Sequence, residues 1–241
     1  MQEWFERLQR QFVQNFITDD RWRMLWSGLG VTLRITFFAL LIGLSIGIVI
    51  AIVRTTYDKN AGSMRFGPGR FVLGFFNILC KIYLTVIRGT PIVVQLMIFF
   101  FLILVSVRGE VVGFIAFGIN SGAYIAEIFR SGIMSIDNGQ FEAGRSLGFN
   151  YIQTMRHVII PQAFKNTLPT LANEFIVLLK ETAVVGYVAV QDLTKAGDII
   201  RGRTFAPFLP LIAVALVYLI LVMFFTWLVG KLERRMRSNE R

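Results

Sequence analysis

The sequence predicts an all-α integral membrane protein: five membrane-spanning helices, an amphipathic surface helix at the N-terminus and a short helical segment in a polar loop. Three observations carry that expectation. The 241 residues are 55% hydrophobic and 17% charged, with mean hydropathy +0.61, whereas a soluble domain carries about 25% charge. Residues 35–53, 89–107 and 205–230 contain no charge, and about 20 apolar residues at 1.5 Å each cover a hydrocarbon layer of roughly 30 Å. Lys and Arg are also distributed unevenly over the intervening loops, as topology demands.

Taken in order, residues 1–26 place Trp4, Phe5, Leu8, Phe12, Phe16 and Ile17 at three- and four-residue steps, the mark of an amphipathic helix. Its expected home is the outer interface, with Trp22 and Trp26 as anchors. Residues 35–53 form the first span. Residues 57–69, with Gly62, Gly67, Pro68 and Gly69, read as a loop. Residues 71–86 carry Lys81 and read as a helix skimming the inner surface, before Arg88, Gly89, Thr90 and Pro91 turn the chain into the second span. The third and fourth spans, 111–126 and 166–179, are polar. Asn120, Ser121 and Tyr124 run into Glu127, and Pro169, Asn173 and Glu174 precede Lys180 and Glu181. An acidic residue at a span centre costs about 2.5–3.5 kcal/mol, so this pair belongs inside the bundle with the three apolar spans around it. Residues 205–230 form the fifth span and 236–241 a tail. One transmembrane domain, 27–235, is expected, without internal repeat or second domain.

Five spans put the termini on opposite sides. Fifteen of the 25 Lys and Arg residues fall on the side that holds the loop after the first span, the 134–165 loop and the C-terminus, against ten on the other. The C-terminus is therefore expected in the cytoplasm and the N-terminus outside. The same asymmetry accounts for the net charge of +10; no basic run carries the interleaved aromatics of a nucleic-acid surface. Cys80 is the only cysteine and His157 the only histidine, which excludes an intrachain disulfide and a Cys/His metal cluster. The chain has no G-x-x-x-x-G-K-[ST] phosphate loop and no G-x-S-x-G elbow. The start, MQEWFERLQRQF, lacks the apolar core of a cleavable signal peptide.

The 134–165 loop carries the most specific pattern. From Gly139 to Gln162 it reads GQFEAGRSLGFNYIQTMRHVIIPQ: Glu142, Ala143 and Gly144, then Gly148, then Val158, Ile159, Ile160 and Pro161. This resembles the cytoplasmic-loop motif of ABC importer permeases, EAA, three residues, G, nine residues, I-x-L-P. Further strings resemble the polar amino acid branch (histidine, glutamine and arginine type): GLGVTL from Gly28, YLTVIRGTPIVVQ from Tyr83, SGAYIAEIFR from Ser121 and NEFIVLLKETA from Asn173. Their order and spacing cover nearly the whole chain from Gly28 to Arg235. Gly144 departs from the family's second Ala, and Ala183 from a common Ser.

The resemblance implies a type I ABC importer permease in a bacterial inner membrane. Its partners would be two ATPase subunits holding ATP and Mg, a second permease chain (identical or sibling), an extracytoplasmic solute-binding protein, lipid and a polar amino acid. No cofactor belongs to the chain itself. Glu142, Ala143, Gly144, Leu147 and Gly148 would dock on the ATPase, with Glu142 in the first turn of a helix or paired with a base on the ATPase, and Gly148 serving docking and not folding. Pro161 would end the helical stretch that follows. Asn120, Tyr124 and Glu127 share a helical face and, with Asn173, Glu174 and Thr182, are the candidate substrate path; Glu127 alternatively pairs with Arg130 or Arg88. Arg88, Pro91 and Lys180 are candidate structural or gating residues. Two other classes stay open: a membrane enzyme using Glu127 and Glu174 as acid and base, and a scaffold whose loop recruits a partner.

Overall fold

A computed structural model describes residues 2–60 and 67–238. Gly62 of the expected loop, two of the fifteen basic residues (Arg65 and Arg241) and the end of the 236–241 tail lie outside those residues. Among the described residues every element is helical: α1 (Gln2–Phe12), α2 (Trp22–Asn60), α3 (Pro68–Gly89), α4 (Ile92–Ile98), α5 (Gly109–Met134), α6 (Asn138–Ser146), α7 (Tyr151–Thr154), α8 (Ile160–Glu181), α9 (Leu193–Thr204) and α10 (Phe208–Ser238), joined by short π and 3-10 turns. Four of these are long and apolar enough to cross a membrane, Trp22–Lys59, Pro68–Gly89, Gly109–Met134 and Phe208–Met236. The expected fourth span lies within α8, whose 22 residues have the length; Asn166, Asn173 and Glu174 keep its hydropathy low.

Three expectations change. Residues 71–86 do not form a separate surface helix; they belong to α3, which has spanning length and composition. The turn expected at Arg88, Gly89, Thr90 and Pro91 is present, but the helix after it is shorter than the expected second span. Thr90 is extended (φ −122°, ψ 145°), because the ring of Pro91 excludes its predecessor from the α region, and the helix that follows, Ile92–Ile103, is shorter. The N-terminal helix also stops short of Trp26. It ends in the π turn Val13–Ile17, and Asp19 and Asp20 adopt left-handed φ of 56° and 53° before α2 starts at Trp22. Asp tolerates that region because its short side chain bonds locally: Asp19 accepts from Arg21 Nη2 at 2.8 Å.

The chain divides into two compact units, Met1–Ala39 with Ile92–Phe117 and Ile176–Leu228, and Leu40–Pro91 with Gly118–Phe175 and Val229–Arg241. Each is assembled from three separated stretches, so no linker composition marks a boundary and the single-domain expectation had nothing to detect.

In the first unit the core is Ile35, Leu96, Val112, Phe117, Leu178, Leu179, Val185 and Leu193, all fully buried. Close approach depends on glycine. A Cβ on Gly28 would stand 2.6 Å from the carbonyl oxygen of Asp192, and one on Gly109 2.8 Å from that of Val188. Thr32, four residues after Gly28, accepts the Leu193 N–H at 3.2 Å and donates to Gly28 O at 3.1 Å. Asp192 caps α9, accepting from Lys195 N at 2.9 Å and Thr194 N at 3.2 Å. Asn15 ties the N-terminal π turn to α9 by accepting from Thr204 Oγ1 at 2.6 Å.

In the second unit α2, α3 and α5 pack through Ile50, Leu84, Ala123 and Ala126. Gly47 lets the two backbones approach, since a Cβ there would be 2.5 Å from Ile125 Cγ2 and 3.0 Å from Ala126 N. Tyr83 donates its hydroxyl to Ile119 O.

Two substitutions test the first unit by thermal unfolding in detergent. Gly28→Ala should destabilise by about 1–3 kcal/mol, because its methyl meets backbone that cannot rotate away. Asp192→Ala should cost about 1–2 kcal/mol through the lost cap. Burial pushes the Asp192 carboxyl above its usual range against its backbone hydrogen bonds, so its anionic form is disfavoured in the fold. Asp192→Asn keeps an acceptor and should be at least as stable at pH 7. The native Asp should gain on Asn only as pH falls through the window between the raised value and the ordinary one.

Candidate functional site

The segment expected to dock is a capped helix held on three sides, all within the second unit. Asp137 precedes α6 and accepts from Gly139 N at 2.6 Å, so the helix starts at Asn138. Glu142 therefore sits in the second turn and not in the first, and the anion at the helix N-terminus is Asp137. Lys59 donates to Asn138 Oδ1 at 3.0 Å and stands 4.5 Å over the Phe141 ring. Phe141 packs on the cluster Ile133, Ile136, Ile159 and Ala163. Gln162 Nε2 donates to Gln140 Oε1 at 3.2 Å.

The end of α6 gives Gly148 a folding role. Gly148 N bonds Arg145 O at 2.9 Å and Phe149 N bonds Gly144 O at 3.0 Å, the paired bonds of a Schellman cap. That cap needs a left-handed residue, and Gly148 supplies φ +79°. The expectation that Gly148 serves docking and not folding is corrected accordingly. Asn150 then opens α7 with a reciprocal capping box to Gln153.

Gly144 is the buried member of the EAG triplet, pressed on Thr154: a Cβ would lie 2.6 Å from Thr154 Cγ2. The departure from the family's Ala thus has a local cause. Glu142, Ala143, Leu147 and Gly148 face outward, and Leu147 is 73% and Ile152 74% exposed. Pro161 does not end the helix. The π turn Met155–Ile159 lies immediately before it, and α8 continues to Glu181; a π turn re-registers the hydrogen bonds that a proline ring disrupts.

A second feature of this unit is an open cavity of about 500 Å³ lined by Arg54, Lys81, Leu84, Thr85, Arg88, Gly89, Tyr124 and Glu127. Tyr124 and Glu127 share it, as their spacing predicts. Asn120, Asn173 and Glu174 do not line it. Asn120 is buried and Asn173 exposed, and Glu174 accepts from Ser121 Oγ at 3.1 Å. Glu127 makes both ion pairs that were posed as alternatives. Its Oε2 is 3.1 Å from Arg130 Nε and its Oε1 4.0 Å from Arg88 Nη1. Arg130 also reaches Asp58 at 3.4 Å, and the Arg88 guanidinium lies 5.6 Å from the centroid of the Tyr124 ring. Pro91 follows the break after α3.

Thr182, in the first unit, is fully buried and donates to Leu179 O at 2.9 Å, which makes it a packing residue; Lys180 is exposed. Sequence reasoning missed Arg54, Asp58, Lys81 and Thr85. A signal for two of them existed: Lys81, Thr85 and Arg88 recur at i, i+4 and i+7 in an otherwise apolar helix.

Comparison with known proteins decides the family. Residues 61–238 match the model of the binding-protein-dependent transport system inner membrane component. The chain belongs to that family. It is 35% identical over 217 residues to the arginine transport system permease protein of Bacillus subtilis, covering 88% of this chain and 92% of the relative. It is 33% identical over 224 residues to the glutamine transport system permease protein of Escherichia coli K12, covering 90% and 97%. A crystal structure of an amino acid ABC transporter with histidines superimposes with TM-score 0.79 at 39% identity, over 91% of this chain and 98% of that one. This inner membrane component is therefore a multi-pass protein of a transporter family.

The tight contact at Gly144 makes a double-mutant test. Gly144→Ala alone should destabilise by about 1–3 kcal/mol. Combined with Thr154→Ala it should cost markedly less than the sum of the single changes, since one methyl replaces another. Thermal unfolding of the four species in one detergent gives the coupling directly.

Proposed function

We propose that this chain is the permease of an ATP-driven importer of polar amino acids. The observation that carries the reading is the α6 surface, a helix capped at both ends, tied down by Lys59 and Gln162 and presenting Leu147 outward beside Glu142 and Ala143. The chain has no phosphate loop of its own, so ATP and Mg belong to two partner ATPases, and α6 is where force reaches the membrane. A second permease chain completes the path, and an extracytoplasmic binding protein delivers the amino acid.

The N-terminus is outside and the C-terminus in the cytoplasm, which puts α6 on the ATPase side. The path runs past Tyr124 and Glu127, with Asn120, Asn173 and Glu174 as further polar groups of the same unit. The names of the arginine and glutamine permeases support this substrate class.

Two measurements test the reading. In proteoliposomes with its ATPase and binding protein, the permease should import labelled glutamine or arginine only when ATP is supplied. Leu147→Asp combined with Ile152→Asp should cut uptake at least tenfold and abolish copurification of the ATPase. Thermal stability should stay within about 0.5 kcal/mol, because both side chains are surface-exposed. Uptake without an ATPase, or full ATPase retention by the double variant, would overturn it.

A further inference from the structure

The N-terminal segment belongs to the first unit and has no part in the α6 surface or the cavity. Within α1, Trp4, Phe5, Leu8 and Phe12 fall on one half of the helix, and Glu3, Glu6, Arg7 and Arg10 on the other. The charged half pairs within itself: Arg10 Nη2 is 4.0 Å from Glu6 Oε2, with both side chains in solvent. The apolar half is uncovered, Trp4 being 66%, Phe5 68% and Phe12 51% exposed.

Buried and local bonds fix where this stripe sits. Asn15 is fully buried, donates to Gln11 O at 2.7 Å and accepts from Thr204 at the end of α9. Arg21 Nη1 donates to Gln14 O at 2.6 Å across the left-handed Asp19 and Asp20. Both ends of the tether lie within a few residues of a membrane entry, since α2 from Trp22 and α10 from Phe208 are long and apolar enough to span. Phe205 stands at the same level, one residue after Thr204, left-handed at φ 52° and 92% exposed. That conformation costs free energy in a bulky residue, and a ring so exposed has almost no packing within the chain to offset it. Trp22, Trp26 and Phe208 are exposed at these entries too.

Charge identifies what covers the stripe. Glu3, Glu6, Asp19 and Asp20 cancel Arg7, Arg10, Arg21 and Arg23, so neither a charged protein nor an anionic lipid surface is drawn to the segment by net charge. Apolar area is the remaining drive, and aromatic rings beside a membrane entry suit the headgroup boundary. We propose that α1 lies in the plane of the bilayer surface as a charge-neutral seat, with Trp4, Phe5 and Phe12, joined by Phe205 of the α9 end, in the boundary between headgroups and acyl chains. Its partner is phospholipid of either headgroup charge, held by apolar burial alone. To the expected interfacial helix this adds the member contributed by α9 and the lipid class accepted. It needs only a membrane-spanning chain and is independent of the importer reading.

The test reads tryptophan emission from the full-length chain in phosphatidylcholine nanodiscs. Replacing Trp22, Trp26 and Trp227 by Phe leaves Trp4 as the sole emitter; a second chain lacks Trp4 as well and carries Phe205→Trp. Lipid brominated near the glycerol end of its acyl chains should quench both emitters at least twofold, and lipid brominated near the terminal methyl groups should quench them less. Aqueous iodide should quench neither by as much as twofold. The pattern should hold when part of the lipid is phosphatidylglycerol and when salt is raised to molar concentration. In the chain that keeps its other tryptophans, Trp4→Phe should lower the lipid-quenched share of emission, a check that needs no further replacement.

Quenching of Trp4 by iodide and not by lipid refutes the seat and leaves α1 in water. Quenching by neither refutes it in favour of a second protein chain lying on the stripe. Lipid quenching that appears only with phosphatidylglycerol, or disappears in salt, refutes a seat held without charge. A Phe205→Trp emitter reached by iodide alone separates α9 from α1 and overturns the shared seat.

Discussion

A charge on a membrane-spanning helix must be met by another charge, and in the second unit that requirement organises the packing. Glu127 of α5 stands between Arg130 and Arg88, and Arg130 extends the chain to Asp58 of α2. Four charges on three helices balance in pairs. Removing one member of such a set leaves its neighbour without its counter-charge on a helix long enough to span. The same set fixes which side of α3 faces α5, because Arg88 must reach Glu127. The side that carries Lys81 and Thr85 then opens onto the cavity, while the side with Phe75, Ile78 and Ile82 stays exposed and apolar.

The apolar helices approach one another closely by a different means. Gly28 and Gly109 in the first unit, and Gly47 and Gly132 in the second, sit where a Cβ would be within 3.0 Å of a neighbour. Lipid tails are as apolar as leucine, so hydrophobicity gives membrane helices little reason to associate; small residues that permit close van der Waals contact do. Threonines contribute beside them. Thr32 follows Gly28 by one turn and bonds the start of α9, and Thr167 packs against Gly132 while donating to Ala163 O. The Gly28 and Gly132 sites thus pair a missing side chain with a short polar one.

The fold class was legible because it depends on composition and on uninterrupted apolar length, both of which are properties of the chain. The breaks were harder to read. The turn at Pro91 was legible and the extended Thr90 makes it, but nothing in the uncharged run that follows marks the end of its helix at Ile103. Pro161 misled in the opposite direction, because the π turn that accommodates it has no signature in the residues themselves. At the segment expected to dock, the pattern located a helix, while two local expectations changed. Gly148 is needed for its backbone conformation, and Glu142 lies one turn further into α6 than a capping role requires. At the cavity the α5 spacing placed Tyr124 and Glu127 together, while Arg54 and Lys81 were invisible as partners. Their helices meet α5 only through tertiary packing, and a lysine in an apolar stretch marks a surface helix as readily as a cavity-lining one.

Helix α6 and the cavity share a support in α2. Asp58 and Lys59 are consecutive, and successive residues on a helix project about 100° apart, so one turn of α2 addresses two neighbours. Asp58 pairs with Arg130 and through it with Glu127 at the cavity, while Lys59 holds Asn138 and covers Phe141 of α6. Moving α6 relative to α2 must therefore break the Lys59 contacts or carry this turn of α2 with it. In the second case the displacement arrives at the Arg130–Glu127 pair. Glu127 is the group whose distance from Arg88 sets how much of that guanidinium is available in the cavity. Helix α6 and the cavity thus need no long route between them, since four side chains and one turn of helix make the connection.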